Sequence, residues 1–175
     1  MVAMESLAAR VAAIARLTGT FTLRSGRTAT EYFDKYRFEG DPVLLREIAE
    51  LMVPLIPAGT DALAGLELGG VPIATALSLE TGLPALFVRK KAKEYGTCSL
   101  AEGGPVDGRH LLVVEDVITS GGQVRLSVAD LRALGAKVTD VICVIDRTEG
   151  GREALAADGL SMASLFRRAD LDDPA

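Results

Sequence analysis

Residues suited to chemistry are concentrated in one stretch, from Leu111 to Gln123, which reads LLVVEDVITSGGQ. Four apolar residues favour a short buried strand, the acids Glu115 and Asp116 follow, and a run of threonine, serine and glycine leads into an apolar pattern at helical spacing. A helix N-terminus presents unpaired backbone N–H groups and the positive end of the helix dipole, and glycines let the backbone close around a phosphate. The stretch therefore predicts a phosphate-binding loop with two carboxylates beside it.

The acidic pair indicates what else the ligand carries. Ionised carboxylates repel a phosphate, so the two acids require something between themselves and the phosphate, and either sugar hydroxyls or a magnesium ion would serve. A ribose 5-phosphate meets this requirement if its hydroxyls contact Glu115 and Asp116 and its phosphate occupies the loop. The alternative is structural: an acid pair at a strand end, followed by an ordinary capped turn.

A cluster of cations forms the second candidate. Arg89, Lys90, Lys91 and Lys93 fall within five residues directly after an apolar run, and they open a polar stretch that lasts to Arg109. A loop of this length in a compact domain is usually functional or disordered. In a chain of net charge −5, such a cluster can collect phosphates, although a solvated run of charges would look the same.

Aromatic residues form the third candidate. Tyr32, Phe33, Tyr36 and Phe38 are half of the eight aromatic residues in the chain, and the segment also contains four basic residues, which are Arg24, Arg27, Lys35 and Arg37. Aromatic faces together with cations predict a platform for a flat, anionic ring. A hairpin that packs its own aromatic residues is the alternative.

The apolar pattern predicts the scaffold that positions these candidates. Strands are expected over residues 20–23, 62–65, 86–88, 111–114, 141–145 and, at a sheet edge, 160–166; helices are expected over 2–17, 42–56, 73–79 and 121–134. Gly19 is expected to end the first helix, and residues 167–175 are expected to fray. Alternating strands and helices predict a parallel α/β sheet. The phosphate loop, the cations and a glycine turn at Leu68-Gly69-Gly70 all follow strands, at the edge where such sheets bind ligands.

Composition excludes several other classes of function. The chain has 175 residues, which suits one domain, and its acidic balance does not favour a general nucleic-acid or membrane-surface role. No apolar run is long enough to cross a membrane. Two cysteines predict neither a disulfide framework nor a zinc site, so a cytoplasmic setting is expected. Because His110 is the single histidine, metal sites and catalytic triads built on histidine are not expected.

The passage VVEDVITSGG resembles the phosphoribosyl diphosphate (PRPP) motif of the type I phosphoribosyltransferases. The fragments FTLRSG, GGVPIAT, RKKAKEYGT and IDR occur in the order and spacing of the family members that act on orotate. The resemblance implies a parallel Rossmann-like sheet flanked by helices, with a small N-terminal hood. It also implies one domain over 1–175, with the hood at about 19–41, the core at about 42–150, and 151–175 partly completing the hood.

The resemblance implies two substrates, PRPP and orotate, and Mg²⁺ as the cofactor, carried by the diphosphate of PRPP rather than by a metal site of the protein. The implied PRPP-binding residues are Leu68, Gly69, Arg89, Lys90, Lys93, Tyr95, Glu115, Asp116, Val117, Ile118, Thr119, Ser120, Gly121, Gly122 and Gln123. Lys93 matches the catalytic lysine of the family. The implied orotate-binding residues are Arg24, Tyr32, Phe33, Thr119 and Arg147. A homodimer is expected, with part of the loop over residues 89–109 reaching into the partner's site.

The activity so implied is Mg-dependent transfer of ribose 5-phosphate to N1 of orotate, which gives orotidine 5′-monophosphate and diphosphate in pyrimidine biosynthesis. The alternatives are a purine or uracil phosphoribosyltransferase, a PRPP-sensing regulator on the same fold, and a flavodoxin-like phosphate-binding module. A purine or uracil phosphoribosyltransferase acts on a neutral base and does not need the cation Arg147. A PRPP-sensing regulator would need a surface that binds nucleic acid. The chain departs from the better-known bacterial pattern by having Arg24 for a lysine, Tyr95 for a histidine, Leu68-Gly69 for an aromatic–lysine pair and Glu115 for an aspartate.

Overall fold

The computed structural model describes residues 6–22, 26–92, 99–148 and 150–172 of the chain. The helices in these ranges are α1 (Leu7–Ala15), α2 (Tyr36–Glu39), α3 (Pro42–Met52), α4 (Gly70–Thr81), α5 (Gly122–Ala133), α6 (Gly151–Ala157) and α7 (Arg168–Asp172), with a 3-10 turn at Val53–Leu55. The strands are β1 (Arg16–Thr22), β2 (Thr28–Phe33), β3 (Ala62–Leu66), β4 (Ala85–Val88), β5 (Ala101–Glu102), β6 (His110–Ile118), β7 (Lys137–Asp146) and β8 (Ser161–Arg167). No helix among the described residues is long and apolar enough to span a membrane.

Within the described ranges, six strands form the central sheet in the order β5-β4-β3-β6-β7-β8. All neighbours pair in parallel except β4 and β5, which pair antiparallel. This mostly parallel sheet with helices on both faces confirms the α/β prediction. β1 and β2 form a separate antiparallel hairpin, and the predicted boundaries of hood and core stay a prediction.

Both faces of the central strands are buried. Leu63 and Leu112 pack with α1, α3 and α4 on one face, whereas their neighbours Ala64 and Val113 pack with α5 on the other. Successive side chains of a strand point to opposite faces, so a strand covered on both sides needs a continuous apolar run. The short apolar runs in the sequence therefore located these strands correctly.

Local signals also located α3. Asp41 Oδ1 accepts hydrogen bonds from the backbone N–H groups of Val43 at 2.9 Å and Leu44 at 3.0 Å, and Pro42 occupies the first turn. An aspartate cap followed by proline is a strong start signal because it satisfies free N–H groups at no cost to the helix. The predicted end at residue 56 is four residues late, since α3 ends at Met52 and a 3-10 turn follows.

The prediction for the N-terminal segment is wrong in part. The helix expected over 2–17 ends at Ala15, and Gly19 lies inside β1 rather than at a helix end. Residues 16–22 form a strand because they pair with β2, where Leu17 lies opposite Tyr32. The helical spacing of apolar residues contains no information about this pairing. Residues 1–5 lie outside the described ranges.

Three further differences concern β5, β6 and the C-terminal segment. β6 continues to Ile118 rather than ending at Val114, because it keeps pairing with β7, so both predicted acids lie inside the strand. The polar stretch after β4 contains the short strand β5. Residues 168–172 form α7 instead of fraying, because Leu171 packs into the core with 4% of its surface exposed.

Candidate active site

The predicted phosphate loop connects β6 to α5. Thr119 and Ser120 are exposed, and Gly121 has φ 72°, a left-handed conformation that residues with side chains disfavour. No side chain caps α5 at this glycine. The N–H groups of the first turn are thus directed at a position where an anion can sit. Of the predicted PRPP-binding residues of this passage, Val117 and Ile118 lie inside β6, and Ile118 is buried. Thr119 to Gln123 form the loop and the start of α5, where Gln123 is exposed.

The acid pair is buried directly before this loop. Glu115 is 8% exposed and Asp116 is fully buried. Asp116 Oδ2 lies 2.5 Å from Lys35 Nζ, and Asp116 Oδ1 accepts a hydrogen bond from the backbone N–H of Val117 at 2.5 Å. Burial alone would raise the pKa of Asp116, but hydrogen bonds from Glu115, Lys35 and Glu39 lower it below its usual range. Asp116 is therefore the ionised member of the pair.

Two side chains beside the acid pair, those of Glu39 and Lys35, were not predicted as part of this site. Glu39 is 6% exposed, and burial together with nearby Asp116 raises its pKa to about 9. Burial and the same neighbour raise the pKa of Glu115 to about 9. Lys35 was recognised only as one cation among the aromatic residues, and nothing local to Glu39 could show that α2 packs against β6.

The glycine turn before α4 lies against the acid pair. A Cβ on Gly69 would collide with the Asp116 carboxylate, and a Cβ on Gly70 would collide with the backbone carbonyl of Val114. The two glycines are therefore required by close packing of this turn on β6, in addition to the anion binding that the sequence suggested. Leu68 is 58% exposed beside them.

Two of the four clustered cations are placed near this turn. Arg89 Nε lies 3.7 Å from Glu102 Oε1 on β5, and the backbone N–H of Lys90 donates to Glu67 Oε2 at 3.0 Å. The contact with Glu67 places the start of the cationic segment beside the Leu68 turn. Lys93 and Tyr95 lie outside the described residues.

The predicted base site lies between the hairpin and the end of β7. The guanidinium carbon of Arg147 is 5.6 Å from the centroid of the Phe33 ring, and the backbone N–H of Arg147 donates to the carbonyl of Ile118 at 2.9 Å. Tyr32 joins them in lining a cavity of about 220 Å³. The structure thus brings together three of the predicted orotate-binding residues and ties them to the phosphate loop.

The remaining base-site predictions have different outcomes. Thr119 lies on the phosphate loop and does not line this cavity, and Arg24 lies outside the described residues. Tyr32 also packs against Phe21, with ring centroids 5.5 Å apart, so the hairpin packs some of its own aromatic residues, as the alternative held. Phe38 is fully buried in the core and takes no part in an aromatic platform.

Two more arginines line the same cavity. Arg16 and Arg168 stand at its wall, and both contact Asp172 of α7, at 3.2 Å and 3.3 Å. Neither arginine was predicted as part of the site, because Arg16 was expected in the first helix and α7 was not predicted. The acids Glu31 and Asp172 line the cavity as well, so two carboxylates balance the two additional arginines.

The chain matches the family model of the phosphoribosyl transferase domain over residues 40–159. It is 60% identical over 167 residues to an orotate phosphoribosyltransferase of a Nocardioides species, covering 95% of this chain and 93% of the relative. Its structure is similar to that of Mycobacterium tuberculosis orotate phosphoribosyltransferase in complex with Fe(III) dicitrate, with a TM-score of 0.86, 37% identity and coverage of 94% of this chain and 96% of the other. A structure of the M. tuberculosis enzyme in complex with PRPP matches with a TM-score of 0.80 and 32% identity over 96% and 100%.

The strand, acid pair and glycine loop leading into α5 define a phosphoribosyltransferase of type I. The family model, over residues 40–159, covers this strand, the acid pair and the glycine loop. The chain belongs to the phosphoribosyl transferase family, and within it to the orotate phosphoribosyltransferases, as its identity with the Nocardioides relative shows.

The sequence predicted a magnesium ion that is carried by the substrate rather than by a metal site of the protein. Mg²⁺ prefers oxygen ligands and usually binds through one or two carboxylates together with substrate phosphates. Within the described ranges, no group of three or more acidic, histidine or cysteine side chains is arranged to hold a metal ion. Asp116 contacts Lys35 and Val117. That the ion is carried by the diphosphate of PRPP stays a prediction.

Proposed function

We propose that the site transfers the ribose 5-phosphate of PRPP to N1 of orotate, releasing diphosphate and giving orotidine 5′-monophosphate for pyrimidine synthesis. One observation carries the assignment to this cavity: Arg147 faces the Phe33 ring and is hydrogen-bonded through its backbone to Ile118, directly before the phosphate loop. An acceptor held by Arg147 therefore lies next to a sugar phosphate held by that loop.

The sugar phosphate is held by β6 and the loop that follows it. The 5-phosphate accepts hydrogen bonds from the first turn of α5 and from the hydroxyl groups of Thr119 and Ser120. A ribose hydroxyl donates to Asp116, whose low pKa keeps it an acceptor, while Glu115, whose pKa is raised to about 9, retains its proton at neutral pH.

The base is held by charge and by stacking. The carboxylate of orotate pairs with the guanidinium of Arg147, and its flat ring lies against Phe33. A neutral base would leave Arg147 without its partner, which is why the cavity favours a carboxylated pyrimidine. Arg16 and Arg168 also line the cavity, where both pair with Asp172.

The reaction needs no nucleophile from the protein. N1 of orotate attacks C1 of the ribose as the bond from C1 to the diphosphate oxygen breaks, so the configuration at C1 inverts and the electron pair leaves with the diphosphate. N1 loses its proton in this step, and the diphosphate can accept it. Arg89, Lys90 and Lys93 stabilise the charge that develops on the leaving group. A bound Mg²⁺ neutralises further charge on the diphosphate. Closure of the loop over residues 89–109 excludes water, and a homodimer allows part of that loop to complete the partner's site.

The proposal is tested by separating the base site from the PRPP site. Arg147→Ala should raise the KM for orotate by about ten- to hundredfold, since a charged hydrogen bond is lost, while the Kd for PRPP measured by calorimetry stays near the wild-type value. Arg147→Lys should recover only part of the loss, because lysine lacks the planar fork. An unchanged KM for orotate in Arg147→Ala would refute the assignment of the base site.

A further inference from the structure

The segment from Lys35 to Glu39 joins the base site to the ribose site. Phe33, at the end of β2, contributes its ring to the base cavity. Lys35 comes two residues later and contacts Asp116, and Glu39 ends the next helix, α2, beside the same carboxylate. One short piece of chain, from Phe33 to Glu39, therefore includes a residue that lines the base cavity and two residues that lie beside Asp116.

The Asp116 carboxylate is enclosed on several sides. Lys35 Nζ and the backbone N–H of Val117 each contact one of its oxygens. A Cβ placed on Gly69 would collide with Asp116 Oδ2 and would lie 2.9 Å from Glu39 Oε1, so both oxygens face the same point beside the glycine turn. The two carboxylate oxygens have four lone pairs between them, so donors from Lys35, Val117 and Glu39 would fix the group and leave one acceptor position for a ribose hydroxyl.

A glutamate at position 39 is energetically unfavourable, because it places a second buried carboxyl group beside Asp116. Two adjacent buried carboxyl groups cannot both be ionised, and Glu39 Oε1 has no hydrogen-bond partner among the described residues if the group is charged. A proton held between Glu39 and Asp116 satisfies both groups. An apolar side chain at position 39 would destabilise the folded protein less than a buried glutamate does. The presence of Glu39 therefore indicates that its hydrogen-bond donor to Asp116 has a function.

We infer that Glu39 and Lys35 are positioning residues, which hold the Asp116 carboxylate in the orientation that receives a ribose hydroxyl. The inference rests on the proposed function, in which Asp116 binds ribose. Neither residue touches the substrate; each acts through Asp116.

The test measures PRPP binding by calorimetry, in the presence of Mg²⁺, for Glu39→Ala, Glu39→Gln and Lys35→Met. We expect the Kd for PRPP to rise by about ten- to hundredfold in Glu39→Ala and Lys35→Met, because Asp116 loses a donor. Glutamine keeps an N–H donor of similar size, so Glu39→Gln should stay within about threefold of wild type. The KM for orotate at saturating PRPP should change by less than about threefold in all three variants.

A control variant, together with the conservative variant Glu39→Gln, distinguishes a positioning role from a merely structural one. Glu50→Ala removes an exposed glutamate of α3 and should leave the Kd unchanged. A structural role would lower the thermal stability of the Glu39 variants without changing the Kd of the folded protein. If Glu39→Ala does not fold, Lys35→Met carries the test, since Lys35 is one-third exposed.

The outcomes are distinct. A Kd for PRPP within about twofold of wild type in folded Lys35→Met and Glu39→Ala would overturn the inference and leave the proposed function intact. A wild-type chain that does not bind PRPP would contradict the proposed function and the inference together. Equal losses in Glu39→Gln and Glu39→Ala would show that no donor from residue 39 is used.

Discussion

Replacing Glu39 by glutamine should flatten the pH dependence of the stability of the substrate-free protein. Burial and the neighbouring Asp116 raise the pKa of Glu39 to about 9 from an ordinary value of 4.5. Below the ordinary value both the folded and the unfolded states carry the proton. Between the two values only the folded state carries it, so unfolding releases a proton and the free energy of unfolding falls as the pH rises.

The size of the effect follows from the number of protons released. One group contributes about 1.4 kcal/mol per pH unit, so from about pH 6 to pH 8 the wild type loses up to about 2.7 kcal/mol through Glu39. In a protein of this length, 1 kcal/mol corresponds to about 2–4 °C in the unfolding midpoint. The midpoint of Glu39→Gln should therefore rise relative to that of the wild type by up to roughly 5–11 °C over this range.

Differential scanning calorimetry across this pH range, without PRPP, measures the effect. Glu115, whose pKa is also about 9, is present in both proteins and cancels in the difference. Glu50→Gln, an exposed glutamate on α3, should give a curve parallel to that of the wild type. Parallel curves for Glu39→Gln and the wild type would refute the reasoning, because Glu39 would then be ionised in the folded protein at neutral pH.

Other substitutions give further tests. Gly69→Ala should abolish measurable PRPP binding and destabilise the fold by about 1–3 kcal/mol, since the new Cβ would collide with Asp116 Oδ2; calorimetric binding at the wild-type level would contradict the close packing. In a variant with Cys98→Ser, the fully buried Cys143, whose thiol pKa burial raises, should resist a thiol reagent until denaturant is added, and prompt labelling of the native protein would argue against its burial. Lys93→Ala should cut turnover by far more than it changes the unfolding midpoint, and normal turnover would remove the catalytic assignment.

Features with local signals could be predicted from the sequence. Apolar runs located β3 and β4 because strands buried on both faces need them. The start of α3 followed from Asp41 and Pro42, which act within one turn. The phosphate loop followed from its own glycines and hydroxyl groups, because an anion site at a helix N-terminus is built from consecutive residues.

Features that depend on distant partners could not be predicted. Arg16 was expected at the end of a helix but begins β1, because pairing with β2 outweighs the helical spacing. Glu39 could not be recognised as a site residue from the sequence. Its role depends on how α2 packs against β6, and Glu39 is far from Asp116 along the chain. Leu171 lies in a polar tail whose helix forms through contact with the core. In each case tertiary packing decides what the local sequence leaves open.

Steady-state turnover with each acceptor base tests the central claim most directly. Purified protein is mixed with PRPP, Mg²⁺ and orotate, and the loss of orotate absorbance is followed beside parallel reactions with uracil, hypoxanthine and adenine. The account predicts turnover with orotate, at a rate far above that with any of the other three bases. Turnover with another base but not with orotate, or no turnover with any base, would contradict it.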